Sequence, residues 1–382
     1  MAIDVTVVDD RRDLERFASF PLGLHGGNPN YVPPFVRDVI ATFSPEKNPA
    51  FETSEARLFL ARRDGRVVGR IAAILSRAAN AKHGTRDLRF GWLDAVDDAE
   101  VFDALLRAVE AWGRQMGMET LTGPLGFTNL DPEGMLVEGF DELATIAEVW
   151  NPSYYPAQLE RLGFTKDIDY VEFEARPPAA GLPERMQRLA EIALKRSRFR
   201  LVRYRSAREL AQARAKELFD LLGESYAELY ASTPLTDRQK QYYAKKYLPF
   251  VNPNFVKVAV DEQDRMIGFL IAIPSLSRAM QKARGRLFPF GALYVLRALK
   301  RYERLDFYLA GVKKEHRNKG VDLVMVVDVF HESLRHGVKV MESNPELETN
   351  TRIQAEWKFM ETRMHKRRRI YRKAIAPAPR RA

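Results

Sequence analysis

Residues 305–330 read LDFYLAGVKKEHRNKGVDLVMVVDVF, and this stretch decides how the rest of the chain is interpreted. It begins with a strand-like alternation of apolar and polar residues, passes through a basic turn that contains Gly320, and continues as an apolar-faced helix. Such a turn presents the backbone N–H groups of residues 317–320 at the positive end of the helix dipole, where a phosphate is stabilised. The stretch therefore predicts a phosphate site, although basic turns with a glycine are also common at ordinary helix starts.

Two β-hairpins of the same design precede this stretch, one in each half of the chain. Residues 58–73 (LFLARRDGRVVGRIAA) alternate in polarity around an Asp64-Gly65 turn, and residues 256–273 (VKVAVDEQDRMIGFLIAI) alternate around a turn rich in acidic residues. Each hairpin is followed by a strand, a helix, a second strand and a second helix. This repeated order indicates an internal duplication.

The duplicated elements follow the same order in the two halves. They are strand 88–93, helix 99–116, strand 119–122 and helix 154–162 in the first half, and strand 305–312, helix 321–336, strand 338–341 and helix 351–364 in the second. A stretch rich in Pro, Gly and Ala at 177–183 separates the halves. We therefore expect an α/β (α+β) fold with two tandem domains, residues 1–176 and 199–382, joined by a linker and a helix at 177–198.

Composition narrows the class of protein. The chain of 382 residues has a net charge of +10 and no cysteine, which excludes disulfides, thiol catalysis and cysteine-ligated zinc. No apolar run reaches the roughly 20 residues of a membrane-spanning helix, and the N-terminus lacks a signal-peptide pattern, so we expect a cytosolic protein. Residues 351–382 carry eleven Lys/Arg against two acidic residues. This predicts a basic tail that is either simply solvated or attracted to anionic lipid, nucleic acid or cofactor phosphates.

Residues 312–322, VKKEHRNKGVD, resemble the pyrophosphate loop of the GNAT (Gcn5-related N-acetyltransferase) superfamily, Val-x-Pro-Glu-Tyr-Arg-Gly-x-Gly-Ile/Val-Gly. Arg317 and Gly320 match its core, whereas Asp322 replaces the small residue that normally lies against the phosphates. Residues 151–164, NPSYYPAQLERLGF, resemble another part of the same fold, but the loop position of the first half, Asp94–Asp98, is acidic. The resemblance implies two GNAT-like domains, each a mixed, mainly antiparallel twisted sheet flanked by helices, of which only the second keeps the acyl-CoA loop.

Further motifs extend the resemblance over nearly the whole chain. Residues 28–34, 47–51, 123–128 and 134–141 are similar to those of a bacterial tandem GNAT family that includes the bacterial ceramide synthases. Those enzymes are thought to N-acylate a long-chain sphingoid base from a fatty acyl thioester. The resemblance thus implies acyl-CoA or an acyl carrier protein as donor and a long-chain amine as acceptor. It implies a cofactor site formed by Val312, Arg317, Asn318, Lys319, Gly320, Val321, Asp322 and Asn350.

Catalytic residues follow from the chemistry, because an amine that attacks a thioester must lose a proton and the leaving thiolate must gain one. In the implied fold, pantetheine lies between the strand before the loop and the strand after the loop's helix. We predict Glu342, at the mouth of that second strand, as the base acting through water, and Glu348 as the alternative; a capping or solvated role explains either equally well. Tyr371 and Tyr308 are candidate acids, although a tyrosine there is also typical of packed core. No histidine has metal-ligand spacing with an acidic residue, so no metal site is predicted.

The choice of acceptor rests on two regions. Residues 123–141, rich in Gly, line the amine site or form a plain surface loop. Residues 282–302, KARGRLFPFGALYVLRALKRY, form a core-packed helix or one that lies in an anionic bilayer interface at the inner face of the cell membrane, reinforced by the basic C-terminus. Three functions stay open: a lipid N-acyltransferase, a GNAT acyltransferase for a small soluble amine or protein lysine, and a non-enzymatic nucleic-acid binder. The basic run lacks interleaved aromatic residues for base stacking, so nucleic acid ranks last.

Overall fold

The structure is a computed structural model that describes residues 2–178, 181–248, 251–357 and 360–376. The hairpins, the strands of the duplicated order and the helices between them are present, and the predicted α/β (α+β) class is confirmed. In chain order the elements are β1 (Asp4–Val7), α1 (Arg11–His25), α2 (Val36–Thr42), β2 (Ser54–Arg63), β3 (Arg66–Ser76), α3 (Arg77–His83), β4 (Asp87–Ala95), α4 (Ala99–Gln115), β5 (Thr120–Gly123), β6 (Met135–Glu138), α5 (Tyr154–Arg161), β7 (Thr165–Arg176), α6 (Glu184–Arg196), β8 (Arg200–Val202), α7 (Ala207–Tyr226), α8 (Asp237–Tyr247), β9 (Val256–Val260), β10 (Met266–Pro274), α9 (Ser277–Ala283), α10 (Gly291–Lys300), β11 (Arg304–Val312), α11 (Val321–Arg335), β12 (Val340–Ser343), β13 (Glu346–Leu347), α12 (Thr351–Trp357) and β14 (Glu361–Ala374).

The chain forms two compact units, and each unit is discontinuous in sequence. Unit 1 comprises Met1–Tyr170, Ser277–Val295 and Lys366–Ala382, and unit 2 comprises Val171–Leu276 and Leu296–His365. Two segments from the later part of the chain are thus grouped with the first unit. The predicted domain boundaries at residues 176 and 199 stay a prediction.

Unit 1 is built on the strand order β1-β2-β3-β4-β5-β14, with β6 paired to β14. β4 and β5 run parallel, from Asp87 opposite Thr120 to Arg89 opposite Thr122. Because the side chains of a strand alternate between two faces, one face of this sheet is apolar and packs against α4. The residues of α4 that lie in this core recur at helical spacing: Val101, Phe102, Leu105, Leu106 and Val109.

Unit 2 repeats this plan with the order β7-β12-β11-β10-β9-β8 and with β13 paired to β7. β11 and β12 run parallel, from Arg304 opposite Val340 to Phe307 opposite Ser343. The helix between them, α11, buries an apolar face against β9, β10 and β11 for the same reason as α4 does in unit 1. The parallel pair and its connecting helix therefore place the loop of residues 313–320 beyond the C-terminal end of β11, at the start of α11.

The C-terminal basic run corrects the sequence analysis. The helix expected over residues 351–364 ends at Trp357, and residues 361–374 form β14. Lys366 and Arg368 are 1% and 0% exposed, and they donate to the buried Glu148 at 2.8 and 3.0 Å. In its described part the run is therefore a strand with neutralised charges rather than a solvated tail. The nucleic-acid alternative stays a prediction, and residues 377–382 of the run lie outside the described residues.

Candidate active site

The predicted strand, basic turn and helix are present in unit 2. β11 ends at Val312, residues 314–316 form one turn of 3-10 helix, and α11 begins at Val321. Asn318 and Gly320 have φ angles of 64° and 78°, which turn the chain into the helix. Gly320 is the N-cap residue and has no side chain, so it provides no capping acceptor for the backbone N–H groups at this helix start, which is where an anion can bind.

The basic side chains of this loop already face one carboxylate. Arg317 donates through Nε to the Val312 carbonyl at 3.3 Å, and its Nη1 lies 3.9 Å from Glu228 Oε2. Lys314 Nζ lies 3.1 Å from the other oxygen of Glu228, and this hydrogen bond lowers the pKa of the Glu228 carboxyl. Exposed ion pairs of this kind are weak, so a pyrophosphate with several charges can replace the carboxylate.

Gly320 is required for packing as well as for the turn. A Cβ at this position would lie 2.6 Å from the Cβ of Ala193 on α6. Ser197, just after α6, donates to the Lys319 carbonyl at 3.1 Å. A side chain at residue 320 would therefore disturb both the backbone and α6, and a substitution there cannot isolate anion binding.

Asp322 lies in the first turn of α11 and does not turn away from it. Its Oδ1 accepts from the backbone N–H of Leu323 at 3.1 Å. The carboxylate thus occupies one of the donors that a phosphate would use, although acidic groups are favourable at this helix end. An anion bound at this helix start would have to replace the contact between Asp322 and the Leu323 N–H, so this departure from the GNAT motif bears on the predicted cofactor site.

β11 and β12 separate next to this helix end. Their parallel pairing stops at Phe307 and Ser343, and Asn344 Nδ2 then donates to the Tyr308 carbonyl at 2.7 Å. Beyond this point, residues 309–312 of β11 pair only with β10 within the described part of the chain. An open strand edge can pair with an extended ligand that carries amide groups, which is the chemistry of pantetheine.

Glu342, the first predicted base, is buried instead of lying at a strand mouth. It is 2% exposed, and Arg304 Nη1 donates to its Oε2 at 2.6 Å. Arg304 also donates to Glu174 at 2.8 Å; burial disfavours its charged form, but the two carboxylates raise its pKa. His365 Nε2 lies 3.4 Å from the Oε1 of Glu342. One oxygen of Glu342 is therefore engaged by an arginine, and its role as base stays a prediction.

Glu346 is the residue that sequence reasoning missed. It follows β12 by three positions and accepts through Oε1 from Trp357 Nε1 at 2.7 Å. Burial raises the pKa of its carboxyl to about 7, against the smaller opposing effect of the Trp357 hydrogen bond. Only its place in a Glu-rich segment beyond the strand could have indicated it. The predicted alternative, Glu348, is half-buried two residues later, and Asn350 directly precedes α12; both roles stay predictions.

The two tyrosines predicted as acids have different surroundings. Tyr371 lies in unit 1, is fully buried and donates to Glu160 Oε1 at 3.0 Å. Burial and the Glu160 carboxylate both raise its pKa well above the ordinary value, so its proton is held more firmly. Tyr308 is half-buried on β11 in unit 2, with its ring 5.9 Å from that of Tyr247. A catalytic role for either hydroxyl stays a prediction.

The corresponding helix start in unit 1, that of α4, is capped by the carboxylate of Asp98. Asp98 caps α4 by accepting from the Glu100 N–H at 2.9 Å, and Arg63 donates to its second oxygen at 2.7 Å. Asp94, 2% exposed, is bonded to Arg70 and His25. The Asp98 carboxylate thus occupies the helix start that a pyrophosphate would need, and the predicted lack of a pyrophosphate loop in unit 1 stays a prediction.

The strand opening of unit 1 is filled by its own chain. Leu125, just after β5, donates its N–H to the Phe90 carbonyl at 2.7 Å and is 2% exposed. Its carbonyl oxygen lies only 2.7 Å from where a Cβ of Gly91 would be. In the same region, burial raises the pKa of Glu133 to about 8 against the opposing charge of Arg89. Residues 123–141 thus hold a carboxyl that is mostly protonated at neutral pH, and their role at an amine site stays a prediction.

Comparisons with known proteins agree with this geometry. No protein-family model matches the chain. Protein YghO of Escherichia coli (strain K12) is 26% identical over 375 residues, which cover 96% of this chain and 94% of that protein. A tandem GNAT protein from the clavulanic acid biosynthesis pathway, solved without acetyl-CoA, superposes with a TM-score of 0.58 at 15% identity and covers 99% of this chain and 100% of that one. The chain has the tandem GNAT fold.

The predicted resemblance to tandem GNAT proteins is thereby confirmed. A protein named bacterial ceramide synthase, from Caulobacter vibrioides (strain NA1000 / CB15N), is 28% identical over 320 residues and is covered over 81% of its length by 82% of this chain. Together with the fold, this relative supports the prediction of an N-acyltransferase enzyme of the GNAT type. Among the described residues, no helix is long and apolar enough to cross a membrane.

Proposed function

We propose that the chain is an N-acyltransferase that binds acyl-CoA at the start of α11 and transfers its acyl group to a long-chain amine. The observation that carries this proposal is the open, basic helix end at residues 317–321, next to the free edge of β11. The helix end suits the pyrophosphate, and the strand edge suits the pantetheine amides. The name of the Caulobacter relative supports a long-chain base as acceptor.

The reaction needs one proton acceptor near the thioester. The neutral amine attacks the carbonyl carbon, the C–S bond breaks, the amine proton leaves to a base, and the thiolate takes up a proton. Glu346 is the carboxylate best suited as this base. Its Oε2 is shielded from solvent and has no hydrogen-bond partner within the described residues, while Oε1 is fixed by Trp357. Trp357 is itself held between Phe173 and Phe307, which keeps the carboxylate in an apolar environment.

The pH dependence of the reaction tests this assignment. Because only the deprotonated carboxylate accepts a proton, kcat/KM should rise with pH through about 7, the pKa of Glu346. Glu346→Gln keeps the acceptor for Trp357 and should lower kcat by about 10²–10⁴-fold, whereas the matched change Glu348→Gln should have a much smaller effect. Unchanged turnover in Glu346→Gln, or the larger loss in Glu348→Gln, would remove Glu346 from the mechanism.

A segment of unit 1 that follows β10 in sequence is suited to a lipid acceptor. Three large apolar side chains in it are strongly exposed: Phe288 71%, Phe290 63% and Leu293 62%. Residues 277–295 contain four Lys/Arg and no acidic residue. Exposed aromatic and aliphatic side chains among cations are typical of segments that enter an anionic bilayer interface. We therefore propose that the enzyme takes its amine from a membrane surface.

The substrate assay separates this function from its main alternative. Purified protein is given long-chain acyl-CoA or acetyl-CoA, each with a sphingoid base, a small soluble amine or a lysine peptide, and N-acyl products are identified by mass spectrometry. The proposal expects product chiefly from the long-chain pair. Product mainly from a soluble amine or peptide would favour the alternative acyltransferase.

Vesicle flotation tests the surface independently of turnover. Wild type should float with vesicles that contain phosphatidylglycerol and less with pure phosphatidylcholine, and Phe288→Ser with Phe290→Ser should abolish flotation. The control changes Leu189→Ser and Ile192→Ser remove exposed apolar side chains from α6 and should leave flotation intact. Equal behaviour of the two double variants would contradict the membrane proposal.

A further inference from the structure

One buried face of the unit 2 sheet carries an unusual set of charged side chains. Glu342 on β12 is paired in register with Asp306 on β11 and with Glu174 on β7. Paired residues point to the same face of a sheet, and so do residues two positions apart on one strand, which adds Arg304 and Glu172. The carboxylates of this face are almost inaccessible: Glu172 0%, Asp306 1%, Glu342 2% and Glu174 6% exposed.

Two guanidinium groups bind carboxylates of this face. Arg304 donates to Glu342 and Glu174, and Arg363 donates to Glu174 at 3.2 Å. Buried carboxylates are costly unless hydrogen bonds, ion pairs, protons or a metal ion compensate them.

Three side chains of this cluster have the donor atoms and the spacing of a metal site. The ligand atoms of Glu172, Glu342 and His365 all lie within 4.8 Å of one another, and the His365 side chain is 1% exposed. The 3.4 Å from His365 Nε2 to Glu342 Oε1 is long for an N–H···O hydrogen bond, which is usually about 2.7–3.2 Å. It fits the edge of a tetrahedron with metal–ligand bonds of about 2.1 Å, which measures about 3.4 Å.

We infer that Glu172, Glu342 and His365 bind one divalent metal ion of the zinc type inside unit 2. Imidazole nitrogen and carboxylate oxygen are ligands that Zn²⁺ accepts in fourfold coordination, and water would complete the set. Arg304 holds the second oxygen of Glu342, which is the outer-shell support that metal-bound carboxylates usually have. The ion would tie β7, β12 and the start of β14 together. This inference does not depend on the acyltransferase proposal.

The test measures metal directly. Full-length protein is stripped with a chelator, dialysed, titrated with Zn²⁺ by calorimetry, and analysed for bound zinc by plasma mass spectrometry. Wild type should bind close to one equivalent, and its melting temperature should rise with Zn²⁺. His365→Ala and Glu172→Gln should weaken binding by about 100-fold or more, since even outer-shell changes cost about 10–100-fold. His83→Ala removes an exposed histidine at the end of α3 and should bind zinc like wild type.

Each outcome decides the inference. Zinc binding that survives His365→Ala and Glu172→Gln, or that is lost in His83→Ala, would place the metal elsewhere. Absence of zinc binding to wild type would overturn the inference. Glu172→Gln keeps the size of the side chain, and circular dichroism of each variant before titration distinguishes ligand loss from unfolding. Cobalt substitution adds a check, since absorption typical of tetrahedral Co²⁺ should appear in wild type and be absent in His365→Ala.

Discussion

Two segments with four Lys/Arg each have opposite environments in this protein. Residues 313–319 lie in an exposed loop at a helix start, whereas residues 366–369 lie in a strand whose charges are paired with Glu148, Glu138 and Asp169. The first segment can still bind an external anion. The basic side chains of the second segment are already paired with carboxylates of the protein itself. A run of positive charge therefore predicts an external partner only where its carboxylate neighbours are exposed and weakly bound, as Glu228 is beside the loop.

The largest expected effect is a loss of stability when an ion pair of the buried segment 366–369 is removed. Arg368→Ala leaves Glu148 buried with one cation fewer, and removing one partner of a buried pair costs about 3–5 kcal/mol. We expect the free energy of unfolding to fall by about this amount in urea titrations. Arg107→Ala, which breaks an exposed pair on α4, should cost less than about 1 kcal/mol. Equal losses in the two variants would show that the buried segment is no more structural than the surface.

A smaller effect is expected in the exposed segment, and on binding instead of stability. Arg317→Ala should weaken acyl-CoA binding by about 10–150-fold, because a hydrogen bond to a charged group contributes about 1.5–3 kcal/mol. Calorimetry with a non-hydrolysable acyl-CoA analogue measures this change, and the melting temperature should stay within about a degree of wild type. Loss of stability without loss of affinity would show that Arg317 has a structural role and not a role in binding the anion.

The smallest effect concerns the acidic residue beside the exposed segment. Asp322→Asn removes the negative charge beside the proposed phosphate site but keeps an acceptor for the Leu323 N–H. Affinity for acyl-CoA should increase about 2–5-fold, while stability falls by about 0.3–1 kcal/mol because an acidic side chain at a helix N-terminus is favourable. Salt should reduce both differences. Weaker binding in Asp322→Asn would mean that the carboxylate assists the ligand.

The sequence predicted those parts of the fold whose signals are local. The Asp64-Gly65 hairpin tip has φ angles of 52° and 76°, as the residue types favour, and Gly337 ends the region of α11 with a φ of 69°. The strand, basic turn and helix of residues 305–330 were also predicted from local signals. The alternation of apolar and polar residues gives way to helical spacing of apolar residues within a short stretch.

The remaining features depend on neighbours that are distant in sequence. The burial of Arg368 requires Glu148, which lies 220 residues earlier, and a basic run offers no local sign of such a partner. Glu346 differs from Glu348 only through its contact with Trp357 and its burial. The Glu172, Glu342 and His365 cluster joins three strands with no short motif. Spacing rules detect metal ligands on one helix or turn and miss sets that a sheet assembles.

The position of β14 has a consequence for how the chain is made. β5 acquires its antiparallel partner only from residues 371–374. A ribosome releases residues in order, so unit 1 stays incomplete until residues 366–374 have emerged. During that interval Glu148 lacks its partners Lys366 and Arg368. Most of the residues of unit 1 are synthesised before unit 2, yet unit 1 can be completed only after the residues of unit 2 have been made.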